Sequence, residues 1–172
     1  MIINNELRNY NRHSIRLKGF DYAKPRLYFV TICVQSRQPL FGNVCDGKMV
    51  LNDAGEMVKS CWEQIHQRYP SLSINQYVVM PNHFHAIVDL SSSDGTISMP
   101  SVIGAFKSIS TNEYISGVRR GLWMPFEKRL WQRNYYEHIV RGLMDYCRII
   151  KYIQNNPVRW CAKEFEKEIP FE

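Results

Sequence analysis

The sequence predicts an α+β domain, a two-layer sandwich of antiparallel strands and helices. Three observations carry this expectation. Short runs rich in aromatic and β-branched residues alternate with stretches whose apolar residues recur every three or four positions, the periods of strands and of amphipathic helices. The connections are short and lack the long crossovers of a purely parallel sheet. Two strand-like runs are separated only by Pro81-Asn82, a turn tight enough to make them an antiparallel hairpin. At 172 residues the chain has the length of one domain able to bury a core, and neither an internal repeat nor a second domain is visible, so residues 1–172 are read as a single unit.

The elements follow in order. Residues 1–25 are polar and basic, without a sustained period, and are expected to form an arm that packs late or grips a ligand. Leu27 to Val34 reads as a strand ending at a turn over Ser36 to Pro39, and residues 40–50 as a loop or short hairpin around Asp46-Gly47. A helix is expected from a cap at Asn52 or Asp53. Ala54, Met57, Val58, Cys61, Trp62 and Ile65 form its buried stripe and Pro70 its end. Ile74 to Met80 and His83 to Leu90 make the hairpin, and Ser91 to Pro100 a loop of small residues. A second helix buries Val102, Ile103, Phe106, Ile109 and Tyr114 and leads into a basic turn over Gly117 to Gly121. A short strand or extended segment through Trp131 is expected within 129–140. A third helix spans Gly142 to Asn156 and is stopped by Pro157, because proline disfavours a helical residue before it.

Composition narrows the class. The N-terminal residues show no basic-then-apolar signal pattern, and no apolar run is long enough to span a bilayer. The five cysteines form no close pair and read as reduced residues of a cytosolic protein. The net charge is +6 and the pI near 9.1. Basic residues cluster in the first 26 positions and again between Arg119 and Arg133, a pattern that attracts polyanions, although a merely solvated surface has the same composition. Ten tyrosines interleaved with these cations suit stacking on unpaired bases, while most of them are expected in or at the edge of the core.

The chemistry-bearing residues begin with His83 and His85. Residues two apart on a strand point the same way, so the two imidazoles project side by side as a ready pair of metal ligands. Taken alone, such a pair is more often a satisfied polar pair than a metal site. The last helix supplies partners. Tyr152 and Asn156 lie four apart on one helical face, and on a wheel of about 100° per residue Tyr152 falls roughly 130° from the centre of the arc formed by Leu143, Cys147, Ile149, Ile150 and Ile153. That placement turns Tyr152 toward something other than the core, or simply toward solvent. A hard divalent ion takes imidazole and amide-oxygen ligands and keeps positions open for phosphate oxygens, and a phenol oxygen can attack a phosphate so polarised. Because histidines ligate only when neutral, such an activity falls below about pH 6.5.

Several ordered stretches together resemble one family. These are Tyr77-Val78-Val79-Met80-Pro81-Asn82-His83-Phe84-His85, Ile103-Gly104-Ala105-Phe106-Lys107-Ser108, Leu130-Trp131-Gln132-Arg133-Asn134-Tyr135-Tyr136-Glu137-His138 and Tyr152-Ile153-Gln154-Asn155-Asn156-Pro157, with further likeness at Arg12 to Lys18 and Tyr28 to Cys33. They resemble the HUH-type single-stranded DNA endonucleases, more closely the single-tyrosine transposases of the insertion-sequence type, and especially the subgroup associated with repetitive extragenic palindromes. The resemblance implies a ferredoxin-like antiparallel sheet flanked by helices, Tyr152 as nucleophile, and His83, His85 and Asn156 as ligands of Mg or Mn. Where the broader family commonly has glutamine four residues after the tyrosine, this chain has Asn156, as in the palindrome-associated subgroup, so the helix must approach the sheet more closely. The implied reaction cleaves single-stranded DNA near a hairpin, leaves a 5′-phosphotyrosine and a free 3′-hydroxyl, and rejoins strands by reversal. The implied assembly is either a monomer or a homodimer exchanging the tyrosine helix.

Rival readings remain beside it. Tyr135 and Tyr136 precede Glu137 and His138, which could form an acid–base pair, but no residue four positions on completes a site, and both tyrosines read as packing or base-stacking residues. His138 reads as structural, Trp131 as core, and His13 and His66 have no identified partner. Arg12, Arg16, Lys107, Arg133 and Arg141 are candidate phosphate contacts. A non-catalytic hairpin-binding protein on the same fold is the alternative function, and an RNA-binding module a more distant one.

Overall fold

Leu27–Cys33 (β1) runs through the middle of a four-stranded antiparallel sheet, because its seven residues are apolar enough on both faces to be covered twice. Its neighbours are His83–Asp89 (β5) on one side and the short Tyr136–Ile139 (β6) on the other; Ser73–Met80 (β4) forms the edge beyond β5. The computed structural model describes residues 26–163 together with 21, 22 and 24, so most of the basic arm expected over 1–25, with Arg12 and Arg16, lies outside the described residues.

Two helical crossovers complete a βαββαβ order, the ferredoxin-like arrangement. Asp53–Glu63 (α1) starts where the sequence places it: the Asn52 side chain accepts a hydrogen bond from the Gly55 N–H at 2.9 Å. A short turn of helix, Ile65–Arg68 (α2), follows after a break at Gln64. Met99–Arg119 (α3) begins before Pro100 rather than after it. Ser98 and Ser101 form a capping box, and proline in the first turn sacrifices no helical hydrogen bond. Gly117 belongs to this helix and not to a turn: a Cβ there would lie 2.1 Å from the Trp123 ring, so glycine lets the indole pack against the backbone. Between β1 and α1, Gly42–Cys45 (β2) and Lys48–Leu51 (β3) form the small hairpin. Asp46 and Gly47 both have positive φ, the turn that an Asp-Gly pair favours.

Strand alternation sorts the two faces. Tyr28, Val30, Ile32, Phe84, Ala86 and Val88 face α1 and α3 and join Val58, Trp62, Val102, Ile103 and Phe106 in the main core. Phe29, Thr31, His83, His85 and Ile87 face the other way, and the register places Thr31 opposite His85 and Phe29 opposite Ile87. Gly142–Gln154 (α4) crosses this second face, burying Ile149 and Ile153 on Phe29 and Ile87. The two-layer unit thus carries a helix on its back as well.

Two expectations about this end of the chain are corrected. Leu143 and Cys147 are exposed, so the buried arc of α4 is centred on Ile149 and Ile153, and Tyr152 sits at its edge facing the sheet. Pro157 does not stop the helical path. The chain kinks at Asn155, and Asn156–Lys163 (α5) begins there with the proline in its first turn, where the missing N–H would have had no partner. The short strand expected within 129–140 is Tyr136–Ile139 and does not run through Trp131, which makes only an isolated bridge to Val34.

Candidate functional site

The Pro81-Asn82 turn delivers His83 as the first residue of β5, and strand period 2 brings His85 up beside it. Their ring centroids are 4.6 Å apart. Both are nearly fully buried, at 4% and 2% exposure, yet both remain on the wall of an open cavity. The end of α4 and the kink into α5 bring Asn156 to them. Its side-chain amide lies 3.2 Å from Nε2 of His83 and 3.2 Å from Nε2 of His85. Tyr152, one turn earlier, sets its ring 5.2 Å from that of His85 and 5.8 Å, edge-on, from Phe29. The four residues that the sequence singled out from two distant segments meet within one chain.

The opposite ring nitrogens have partners of their own. Nδ1 of His85 lies 2.8 Å from the Thr31 hydroxyl, its cross-strand neighbour, and Nδ1 of His83 lies 2.8 Å from Oδ1 of Asn82. Two Nε2 atoms and an amide therefore converge, each imidazole oriented from behind. This donor set fits a divalent ion of the Mg or Mn kind that keeps positions open for phosphate oxygens. From α5, the Arg159 guanidinium lies 5.2 Å over the Tyr152 ring and Trp160 packs 5.6 Å from His83.

A cavity of about 260 Å³ opens in front of these groups, lined by Thr31, Cys33, Arg37, His83, His85, Gln132, Asn134, Tyr135, Tyr136 and Tyr152. Arg37 follows Ser36 in a turn where both adopt left-handed backbone, φ 55° and 58°, a conformation that surrounding contacts must hold. The sequence reading missed Thr31, Arg37, Asn82, Gln132, Asn134, Arg159 and Trp160 as members of the site. Asn82 had the visible signal, adjacency to His83, but reads locally as a turn residue. Thr31 and Arg37 depend on register and loop path, and Arg159 and Trp160 lie beyond the proline taken as a terminator.

The remaining expected residues separate. Lys107 does not project freely toward a ligand. Its ammonium donates to the Gln132 and Arg133 carbonyls at 2.6 and 3.0 Å and lies 5.9 Å over the Tyr135 ring, so it anchors the cavity wall. Arg133 and Arg141 are exposed, beside that wall and at the start of α4. Glu137 and His138 point to opposite faces of β6 and make no acid–base pair: Glu137 accepts from the Tyr22 hydroxyl, whereas His138 Nε2 lies 2.8 Å from Asp145. Burial pushes the Asp145 carboxyl up, but the Arg141 N–H, His138 and Arg148 outweigh it and hold it at about 2. Tyr135 bonds Met99 and Tyr136 packs edge-on against Phe29. Trp131 is core, with its indole N–H on Ser110.

The chain, an antiparallel sheet with two histidines covered by one helix carrying the tyrosine and a second that begins with the asparagine, falls in a transposase class. It belongs to the IS200-like transposase family, which matches residues 27–156. A protein of Haemophilus influenzae described only as uncharacterised is 37% identical over 163 residues, covering 88% of this chain and 91% of its own. The REP-associated tyrosine transposase of Escherichia coli is 24% identical, covering 80% of this chain and 70% of its own. The fold is shared with a solved REP-associated tyrosine transposase bound to a REP hairpin: the TM-score is 0.61 and identity 24%, covering 93% of this chain and 81% of that one. No helix among the described residues is long and apolar enough to cross a membrane.

Proposed function

We propose that the protein is a metal-dependent endonuclease and strand transferase that acts on single-stranded DNA at hairpins through a covalent 5′-phosphotyrosine. The observation that carries this reading is the convergence of His83, His85 and Asn156 beside Tyr152. A Mg or Mn ion held by the two imidazoles and the amide oxygen would supply Lewis-acid polarisation of the scissile phosphate. Tyr152 attacks the phosphorus through its phenol oxygen: the new O–P bond forms as the bond to the 3′-oxygen breaks, the phenol proton passes to water, and the departing 3′-oxygen takes a proton up. Attack of a 3′-hydroxyl on the phosphotyrosine reverses the step and joins strands. Phe29 and His85, stacked on each other with centroids 5.5 Å apart, both meet the tyrosine ring edge-on and support it from one side, which limits the attack geometry.

The cavity suits the flanking nucleotide. Arg37 offers a guanidinium to phosphate, Gln132 and Asn134 offer amides to a base edge, and Tyr135 and Tyr136 offer rings for stacking. Hairpin DNA is the proposed substrate because the structural neighbour is bound to one and because the chain carries a net charge of +6. That one chain brings the whole set together supports a site working in cis over one built by helix exchange between subunits. Incubation with a hairpin-bearing single strand and Mn is expected to yield a covalent adduct that Tyr152→Phe abolishes. An undiminished adduct from Tyr152→Phe refutes the nucleophile assignment, and chelator-insensitive hairpin binding with no adduct supports the non-catalytic alternative instead.

A further inference from the structure

We infer that Asn82 is a positioning residue: it fixes the tautomer of His83, so that Nδ1 carries the proton and Nε2 presents its lone pair to the site. The orientation of the Asn82 amide is settled by its two partners. Its Nδ2 donates to the Arg37 carbonyl at 2.9 Å, and a carbonyl only accepts. Its Oδ1 is therefore the atom 2.8 Å from His83 Nδ1, and an amide oxygen also only accepts. The hydrogen bond exists only if His83 Nδ1 bears the hydrogen, which leaves Nε2 unprotonated in the neutral ring. Rotating the amide would oppose two acceptors at Arg37 and lose that bond, leaving Nδ2 to donate to an unprotonated His83 Nδ1, so it is the Arg37 carbonyl that selects the amide orientation and with it the tautomer.

Thr31 does not do the same for His85. A hydroxyl both donates and accepts, so its contact of 2.8 Å with His85 Nδ1 orients the ring without choosing a tautomer. The fixed tautomer of His83 has a consequence at Asn156, whose Oδ1 lies 3.2 Å from that Nε2. Two lone pairs face each other there, an arrangement relieved either by turning the Asn156 amide or by a cation between them.

Asn82 is itself held rigidly. Its backbone carbonyl accepts from the Val34 N–H at 2.8 Å, and the Pro81 carbonyl accepts from the Phe41 N–H at 3.1 Å. The amide also ties the left-handed Ser36-Arg37 turn to His83, so the arginine that lines the cavity and the imidazole that lines it share one support. The link from tautomer to ion affinity rests on the proposed metal site, whereas the tautomer itself does not.

The test is long-range proton–nitrogen NMR correlation of the metal-free protein above pH 8, which distinguishes the two neutral imidazole forms. His83 is expected as the Nδ1–H form in the wild type and in Asn82→Asp, which keeps an acceptor, and as a mixture in Asn82→Ala. In parallel, Mn titration is expected to weaken about 10–100-fold in Asn82→Ala, with recovery toward wild type in Asn82→Asp. Finding the Nε2–H form in the wild type overturns the inference without any variant, and so does an unchanged Nδ1–H form in folded Asn82→Ala. If the wild type shows the Nδ1–H form but binds no Mn, the metal reading fails while the role of Asn82 stands.

Discussion

Ile153→Ala tests whether the site is held by a small, separable patch of core. Among the described residues, the apolar cluster buried between α4 and the face carrying the histidines is small, Phe29, Ile87, Ile149 and Ile153, whereas the opposite face buries the main cluster under α1 and α3. Full burial of an isoleucine is worth about 1.5–3 kcal/mol, so Ile149 and Ile153 together hold α4 down by about 3–6 kcal/mol. Ordering a helix too short to be stable alone takes part of that back. A net docking free energy near 4 kcal/mol leaves about one molecule in a thousand with α4 detached. Truncating Ile153 removes about 2–3 kcal/mol, at the low end for a buried isoleucine because the neighbouring cavity lets the site relax. The detached fraction then rises to between about 3% and 15%. Hydrogen exchange read by mass spectrometry is expected to lose about 30-fold or more protection over 146–153, with β1, β5 and α3 changed less than threefold. Adduct formation changes little in this variant, because most molecules remain docked. Combining it with Ile149→Ala crosses the threshold, removing Tyr152 and Asn156 from the histidines together. Equal loss of protection in α4 and in the sheet would refute the reasoning, since it would make the molecule one cooperative unit.

Two further outcomes follow from the hydrogen-bond network. Asp145 falls from an ordinary 3.8 to about 2 in the folded protein, so its ionised form adds stability that is fully present above about pH 4 and is lost as the pH falls through 2. Asp145→Asn is expected to cost about 1–2 kcal/mol at pH 7, discounted because Arg148 is largely exposed, and nothing below pH 2; urea denaturation at both pH values checks it. Lys107→Met is expected to lower stability by about 1–2 kcal/mol while leaving the salt dependence of DNA binding unchanged. Arg133→Met, with an exposed cation, is expected to reduce the salt slope by about 0.7 at unchanged stability.

The difference between Lys107 and Arg133 also shows where sequence reading stops. Both are cations in basic stretches, and nothing local tells which one spends its charge on backbone carbonyls 25 residues away. What local chemistry dictates was legible: the Asn52 cap, the Asp-Gly hairpin, the Pro-Asn turn, and the shared face of His83 and His85. The wheel of α4 failed for a physical reason. Leu143 and Cys147 are apolar but lie beyond the reach of a sheet face only a few residues wide, so counting apolar residues pulled the calculated centre away from Tyr152. Pro157 misled because the same ring that ends a helix also begins one, and choosing between them requires knowing that α5 has β2, β3 and β4 to pack on. That packing is what matters for the site. Asn156 stands at the start of α5 and Tyr152 near the end of α4, so the kink at Asn155 sets the angle between the amide and the phenol. A straight helix through 142–163 would carry Asn156 along the axis of α4, whereas the kink lets the shorter asparagine side chain reach both imidazoles at 3.2 Å. The closer approach demanded by asparagine is met by two helices, each packed on a different part of the strands.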